Sequence, residues 1–269
     1  MTPIRTASPL LCGINAGFGE PIAHEVAGLR EHRYTQVRQD LQFITDPRTV
    51  AMLRNDVQNS RIRPLWIIRE PQAALMLTGD RVELCNEPNL NGYTPEVYAA
   101  LWNRTAPALL SRKVVVFAGS ISNLDQRGLD WLRRAWRCMS PKPTHVSVHR
   151  YPENRGFLQP HKGFVTREEE VDALRQIVGN ATIAVTEFGY HTGRRTWRGF
   201  WPLRPWSDTN VMGFALQEWQ FWSDMGVESA YIYQLNDGPT NSAIDRYGVR
   251  RLDGLWKPVA YSHHFISAA

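Results

Sequence analysis

Eight short apolar or β-branched runs recur along the chain, and their alternation with polar turns and helical stripes constrains the fold more than any other feature. The runs are Leu11–Ile14, Thr35–Leu41, Ile62–Ile68, Arg81–Cys85, Lys113–Ala118, His145–His149, Thr182–Thr186 and Glu228–Leu235. Their near-continuous apolar character suits parallel strands, which helices cover on one face and other strands on the other. Helix signals lie between them. Asp46-Pro47 reads as an N-cap with proline at the first helical position, ahead of a stripe of Val50, Leu53 and Val57. Thr94-Pro95 opens another helix, with Tyr98, Leu101, Trp102, Thr105 and Leu109 on one face. Leu129, Leu132, Trp136 and Met139 mark the next, and Thr166 with Glu169 forms a capping box before Val171, Leu174, Ile177 and Val178. A further helix covers Met212–Met225, and a last begins near Trp256-Lys257-Pro258. The first and third helices of the series are poorly defined.

Eight alternating units with no linker or composition break predict a single domain over residues 1–269, most simply a closed (β/α)8 TIM barrel of the α/β class. A length of 269 residues suffices for one such barrel. An open doubly wound sheet is the alternative. It loses ground because Gly13, Gly17 and Gly19 lack the spacing of a dinucleotide-binding turn and no Gly-Lys-Ser/Thr phosphate loop occurs.

A composition of 43% hydrophobic and 21% charged residues is that of a globular chain. No apolar run approaches the ~20 residues that span a bilayer, so no membrane association is expected. The start, Met1-Thr-Pro-Ile-Arg5, lacks the layout of a secretory signal, which leaves a cytoplasmic protein or a secreted one whose signal is trimmed. Cys12, Cys85 and Cys138 form no CxxC pair, and their odd number leaves at least one thiol free. The net charge of +5 is spread along the chain, with clusters at Arg133-Arg134 and around Arg194, Arg195 and Arg198. No nucleic-acid module is present, so no nucleic-acid partner is expected. A solvated basic surface accounts for the charge excess, with selection of an anionic polysaccharide as the alternative. His161 and His191 have no partners at ligand spacing, and His263-His264 diverge on a helix, so neither a metal nor another cofactor is expected. A monomer is the expected state.

Barrel active sites form at the C-terminal strand ends. Those ends carry Asn15, Arg38, Asn86-Glu87-Pro88-Asn89, Ser120, Asn123, His149, Tyr151, Glu187 and the segment Gln234 to Asp237. Cleaving a glycosidic bond with retention requires one carboxylic acid to protonate the leaving oxygen and a second carboxylate, about 5 Å away, to attack the anomeric carbon. The fourth and seventh runs stand across a barrel mouth, so Glu87 and Glu187 can address one sugar from two sides. Inversion would need a gap of about 6.5–9.5 Å, and sequence alone does not distinguish the two. A general acid needs a raised pKa and a nucleophile must stay ionised. Arg38 is placed to hold Glu187 anionic, Tyr151 to donate a hydrogen bond to it, and Asn86 to bind a sugar hydroxyl beside the scissile bond.

A lone strand-end glutamate is more often a surface residue, but the Asn-Glu-Pro and Thr-Glu-Phe-Gly contexts on two barrel strands favour a site. His149 and Tyr151 share one face of their strand by the two-residue period, which raises His149 above a merely structural histidine. Gln234 and Asp237 are candidate substrate ligands, with Asn236 and Asp237 as turn residues the plainer alternative. Trp197, Trp201 and Trp206 lie among Arg194, Arg195, Arg198 and Arg204 after the seventh run. They either stack on sugar rings or pack the loop against its own barrel.

These segments resemble those of clan A glycoside hydrolases, most nearly the family 39 and family 5 groups. The similarity lies in Tyr-Thr-Gln-Val-Arg-Gln-Asp (34–40), Glu-Leu-Cys-Asn-Glu-Pro-Asn (83–89), Val-His-Arg-Tyr (148–151) and Val-Thr-Glu-Phe-Gly-Tyr (185–190), and in the tail over 247–261. It covers nearly the whole chain; each motif alone is weak, and their order and spacing together are strong. The resemblance implies a retaining β-glycosidase acting on an oligo- or polysaccharide, with Glu87 as acid/base, Glu187 as nucleophile and Asn86 as a 2-hydroxyl ligand. One departure is that Tyr-Gln-Leu-Asn-Asp (233–237) stands where many such enzymes carry a tryptophan after the eighth strand. Two rivals remain: a sugar-binding barrel without catalysis, against which both retained glutamates argue, and a lyase or aldolase. The latter needs a strand-end lysine or a set of metal ligands, and neither is found.

Overall fold

Eight parallel strands close on themselves in sequence order, as expected when every run is apolar on both faces. The structure, a computed structural model, describes residues 9–16, 25–41, 47–69, 77–151, 159–193, 195–197, 201–203, 205–240 and 242–266. The barrel strands are β1 (Leu11–Asn15), β2 (Gln36–Asp40), β3 (Arg63–Ile68), β4 (Arg81–Leu84), β5 (Val115–Ile121), β6 (His145–Arg150) and β7 (Thr182–Phe188), closed by β10 (Ser229–Ile232) pairing with both β7 and β1. All eight predicted runs are therefore strands of one (β/α)8 barrel. A feature not expected from sequence is a small antiparallel hairpin after β7, with β8 (Arg195–Trp197) against β9 (Trp201–Leu203).

The helices are α1 (Val26–Glu31), α2 (Pro47–Asn59), α3 (Pro95–Ser111), α4 (Gln126–Cys138), α5 (Arg167–Val178) and α6 (Asp208–Asp224). Local chemistry explains where they begin. Thr94 caps α3 ahead of Pro95, Asp125 accepts from Gly128 N at 2.8 Å on α4, and Thr166 and Glu169 form the capping box of α5. The sequence reading started α6 at Met212. The helix starts four residues earlier because Ser207 and Asn210 form a second capping box, so a polar stretch that reads as loop is a first turn. The first helix, poorly defined in the sequence, is α1 with only six residues, and the last, expected near Trp256-Lys257-Pro258, is a 3-10 segment over Pro258–Phe265. Among the described residues no helix lies between β3 and β4. Asp46 and the side chain of Leu53 lie outside the described residues. No described helix is long and apolar enough to cross a membrane, and all three thiols are free.

The barrel interior is layered, and the layers put the polar residues at one end. Near the middle, Leu65, Phe117, Ala184 and Tyr231 form an apolar plug. Gly13 makes room for it, since a Cβ there would lie 2.3 Å from the Tyr231 ring. Beside the plug, Gln36 accepts from Tyr231 Oη at 2.6 Å and from Arg81. Two residues further along the same strands, on the same face, come Asn15, Arg38 and Glu83. The two-residue period thus delivers polar side chains to the C-terminal mouth.

The strand ends at the mouth are backbone-strained. Cys85, Glu87 and Ser120 all have positive φ, at 66°, 44° and 49°, a conformation that costs on the order of 1–3 kcal/mol for a residue with a side chain. Helix α3 supports it. Its Tyr98 donates to Leu84 O at 2.9 Å and accepts from Gly119 N at 2.9 Å, pinning the ends of β4 and β5 together.

Candidate active site

Arg38 is the hub of the mouth. Its Nη1 donates to Asn15 Oδ1 at 2.8 Å and Glu187 Oε1 at 2.6 Å, its Nη2 to Asn86 Oδ1 at 2.7 Å, and its Nε to Glu83 Oε1 at 3.1 Å. Nη2 also pairs with Glu83. Asn15 in turn donates to Thr186 O at 2.9 Å, tying β1 to β7. Burial works against the Arg38 charge, but the Glu83 and Glu187 carboxylates outweigh it and hold the guanidinium firmly protonated.

Glu87 and Glu187 meet across this hub. One oxygen of each carboxylate and a ring nitrogen of His149 all lie within 4.8 Å of one another. Tyr151 Oη donates to Glu187 Oε2 at 2.6 Å. His149 Nδ1 faces carboxylate oxygens, which accept, so Nδ1 carries a hydrogen, and its Nε2 lies 3.3 Å from Arg38 Nη2. That Nδ1 faces Glu87 Oε1 at 3.1 Å and Glu187 Oε2 at 3.5 Å. Ser120 Oγ donates to Glu83 Oε1 at 3.0 Å and lies 3.1 Å from His149 Nε2, so the imidazole is held from behind.

The two glutamates differ in exposure. The Glu87 side chain is 24% exposed and that of Glu187 8%. A pocket of about 380 Å³ opens beside Glu87, lined by Asn89, Leu90, Ser122, Asn123, Arg127 and Tyr151. Burial pushes the Glu87 carboxyl up, but the hydrogen bond and charge of His149, with Arg38 beyond it, bring it below the usual carboxylate range. A raised value was the expectation for a general acid. The difference comes from His149 Nδ1, whose hydrogen bond no strand-level reading anticipated.

The remaining candidates fall in two groups. Arg38, Asn86, Asn15, His149 and Tyr151 touch the carboxylate pair or its hub. Gln234 follows Tyr233 beyond β10, its backbone paired with Tyr247 and Val249. The Asp237 carboxylate is taken up by Lys257 Nζ at 2.7 Å and Arg246 Nη1 at 3.2 Å, a buried ion cluster behind the mouth. Trp206 packs on its own barrel, edge-on to Phe214 at 5.1 Å between ring centroids. Trp197 and Trp201 face each other in the β8–β9 hairpin register, and their side chains lie outside the described residues, as do Arg194, Arg198 and Arg204.

Three mouth residues escaped the sequence reading. Glu83 is fully buried beneath Arg38. Tyr233 and Tyr247 join Tyr151 in an edge-to-face trio with centroids 5.7–6.2 Å apart. Burial and the nearby Glu187 charge raise the Tyr247 phenol to about 12, so it stays a hydrogen-bond donor. The signal for Glu83 was an acid inside an apolar strand, two residues along from Arg81.

Glu87, His149 and Glu187 are the one described trio with the reach to hold a metal ion. The fit is poor, because the Arg38 guanidinium already sits 2.6 Å from Glu187 and the His149 nitrogen facing the carboxylates carries a hydrogen.

No protein-family model matches this chain, and no curated protein matches it. Solved structures do match, and they are clan A glycoside hydrolases of several families. A family 39 glycoside hydrolase from the gut symbiont Bacteroides cellulosilyticus superposes with a TM-score of 0.67 at 14% identity, over 95% of this chain and 62% of that one. The family 17 β-1,3-glucanosyltransferase of Rhizomucor miehei gives 0.66 at 13% identity, over 95% of this chain and 96% of that one. Cel5A of Thermotoga maritima, solved with cellobiose, gives 0.63 at 14% identity, over 96% and 98%. The families resembled in sequence, 39 and 5, are thus among the structural neighbours; at these identities the likeness is one of fold.

Proposed function

We propose that the chain is a retaining glycoside hydrolase that cleaves β-glycosidic bonds in an oligo- or polysaccharide. The observation that carries this is the carboxylate pair, close enough that one oxygen of Glu87 and one of Glu187 lie within 4.8 Å across the mouth of a parallel barrel. Retaining enzymes hold their carboxyl groups about 5–5.5 Å apart, and inverting ones leave room for a water between them. The structural neighbours, which include glycoside hydrolases and a glucanosyltransferase, support the same reaction class.

The surroundings divide the roles. Glu187, clamped by Arg38 on one oxygen and Tyr151 on the other, is oriented as the nucleophile. Its free electron pair attacks the anomeric carbon as the bond to the leaving oxygen breaks. Glu87, more exposed and bordering the 380 Å³ pocket, gives its proton to that oxygen. Arrival of a sugar strips water from Glu87, which raises its pKa when a proton is needed. In the second half Glu87 takes a proton from water, whose oxygen attacks the anomeric carbon and releases Glu187. Asn86, fixed by Arg38, is placed to bind the 2-hydroxyl.

The test is a panel of aryl β-glycosides and polysaccharides with the parent, Glu187→Gln and Glu87→Gln. Both variants are expected to lose turnover on the order of 10⁴-fold or more on any substrate the parent cleaves. Azide should rescue Glu187→Gly and yield the glycosyl azide of inverted configuration. Wild-type turnover in both glutamine variants would end the proposal.

A further inference from the structure

Tyr151 is held at Glu187 by residues from outside its own strand. Its backbone N–H donates to Asn123 Oδ1 at 2.9 Å. His161 Nε2 lies 2.9 Å from the same oxygen and 3.2 Å from the Tyr151 carbonyl. Asn123 Oδ1 already accepts from a backbone N–H, so both neighbours of Nε2 are acceptors and Nε2 carries a hydrogen. The other side of the ring faces Glu170, whose Oε1 lies 3.1 Å from Nδ1 and also accepts the His161 backbone N–H. Glu170 is anchored by Arg150 Nε at 3.1 Å. His161 is only 6% exposed, so its ring has no alternative partners in solvent.

We infer that His161 is a positioning residue, clamping the backbone of Tyr151 between Asn123 and the Glu170 carboxylate and thereby setting the phenol against Glu187. The kinetic consequence rests on the retaining-hydrolase proposal; the geometric claim does not. The Tyr151 hydroxyl reaches Glu187 at 2.6 Å, close enough that a small drift of the backbone breaks the bond. Displacement of that order at a reacting group costs roughly 10- to 100-fold in rate.

The test compares His161→Phe, which keeps a ring and removes the Nε2 donor, with His161→Gln, whose amide reaches about as far as Nε2 and restores it. In the parent background His161→Phe is expected to lower kcat about tenfold or more with little change in KM, and His161→Gln to recover most of it. In a Tyr151→Phe background the same change should cost less than about threefold, because the clamp acts only through the phenol. Equal losses in both backgrounds, or a loss confined to KM, overturn the inference.

A second readout needs no substrate. In protein labelled with 13Cζ-tyrosine, the Tyr151 signal, identified by its disappearance in Tyr151→Phe, should move in His161→Phe and return in His161→Gln. If it stays in place, the clamp is refuted even if glycosides prove to be the wrong substrates. If His161→Phe does not fold, Asn123→Ala removes the same acceptor and must give the same movement.

Discussion

His149 and Arg150 are adjacent at the end of β6, face opposite sides of the strand, and each joins a buried charge cluster. In the mouth, three carboxylates, Glu83, Glu87 and Glu187, share one guanidinium, Arg38, with His149 among them. In the helix layer, Arg150 and Arg167 face Glu170 and Glu218, two against two, and Tyr190 Oη donates to Glu218 at 2.7 Å. The first cluster is short of positive charge and reaches solvent through Glu87; the second is balanced and sealed. A balanced, sealed cluster acts through packing and positioning, without proton exchange. An unbalanced cluster open to solvent can gain or lose a proton, which acid–base chemistry requires.

The sharpest way to break this contrast is to remove the arginine from each side. Arg38→Met is expected to reduce turnover about 10²- to 10³-fold, since it takes away the charge that holds the nucleophile. Its carboxylates sit at a wet mouth and can take up protons, so the loss of function should far exceed the loss of stability. Arg150→Met should do the reverse. It takes the shared arginine from Glu170 and Glu218 with no route to water, a change worth about 3–5 kcal/mol, while folded protein loses at most the roughly tenfold in turnover that a slackened His161 clamp costs. Thermal denaturation and kcat on both variants decide the matter, and matching profiles would erase the distinction.

Tyr151 belongs to the mouth by its hydroxyl and to the helix layer by its backbone, which His161 links to Glu170. Tyr151→Phe removes one hydrogen bond to a charged oxygen, worth about 1.5–3 kcal/mol. The expected loss in kcat is therefore roughly 10- to 100-fold, smaller than for Arg38→Met because Arg38 still holds the other oxygen. A larger loss than Arg38→Met would mean that the phenol, not the guanidinium, governs Glu187.

What could be seen in the sequence follows the same division. The eight strands were legible because burial on both faces makes each an unbroken apolar run. Glu87 and Glu187 were legible because they stand where such runs end. Glu83 was not, since its meaning depends on Arg38, two strands away and 45 residues earlier in the chain. Asp237 is a candidate because it follows a strand, and only the structure shows that Lys257 and Arg246, further along the tail, engage its carboxylate. His161 was weighed only as a metal ligand; its partners come from three other segments, and no spacing along the chain encodes them.

The smallest effect expected is also the most specific to the mouth, and it is one of pH. Burial pushes Glu87 up, but the His149 hydrogen bond and charge bring it down. The first step needs Glu87 protonated, so the alkaline limb of kcat/KM reports its ionisation in the free enzyme. His149→Ala removes the lowering contribution and leaves burial in place, so the Glu87 pKa should rise and the alkaline limb move to higher pH. The overall rate will also fall, because His149 touches both carboxylates, but only the position of the limb is diagnostic. The helix layer supplies the control: Arg150→Met, which touches neither carboxylate directly, should leave the limb where it is. A limb that stays fixed in His149→Ala, or moves to lower pH, would show that His149 does not set the Glu87 proton, and the mouth cluster would then lose the feature that most separates it from the one behind it.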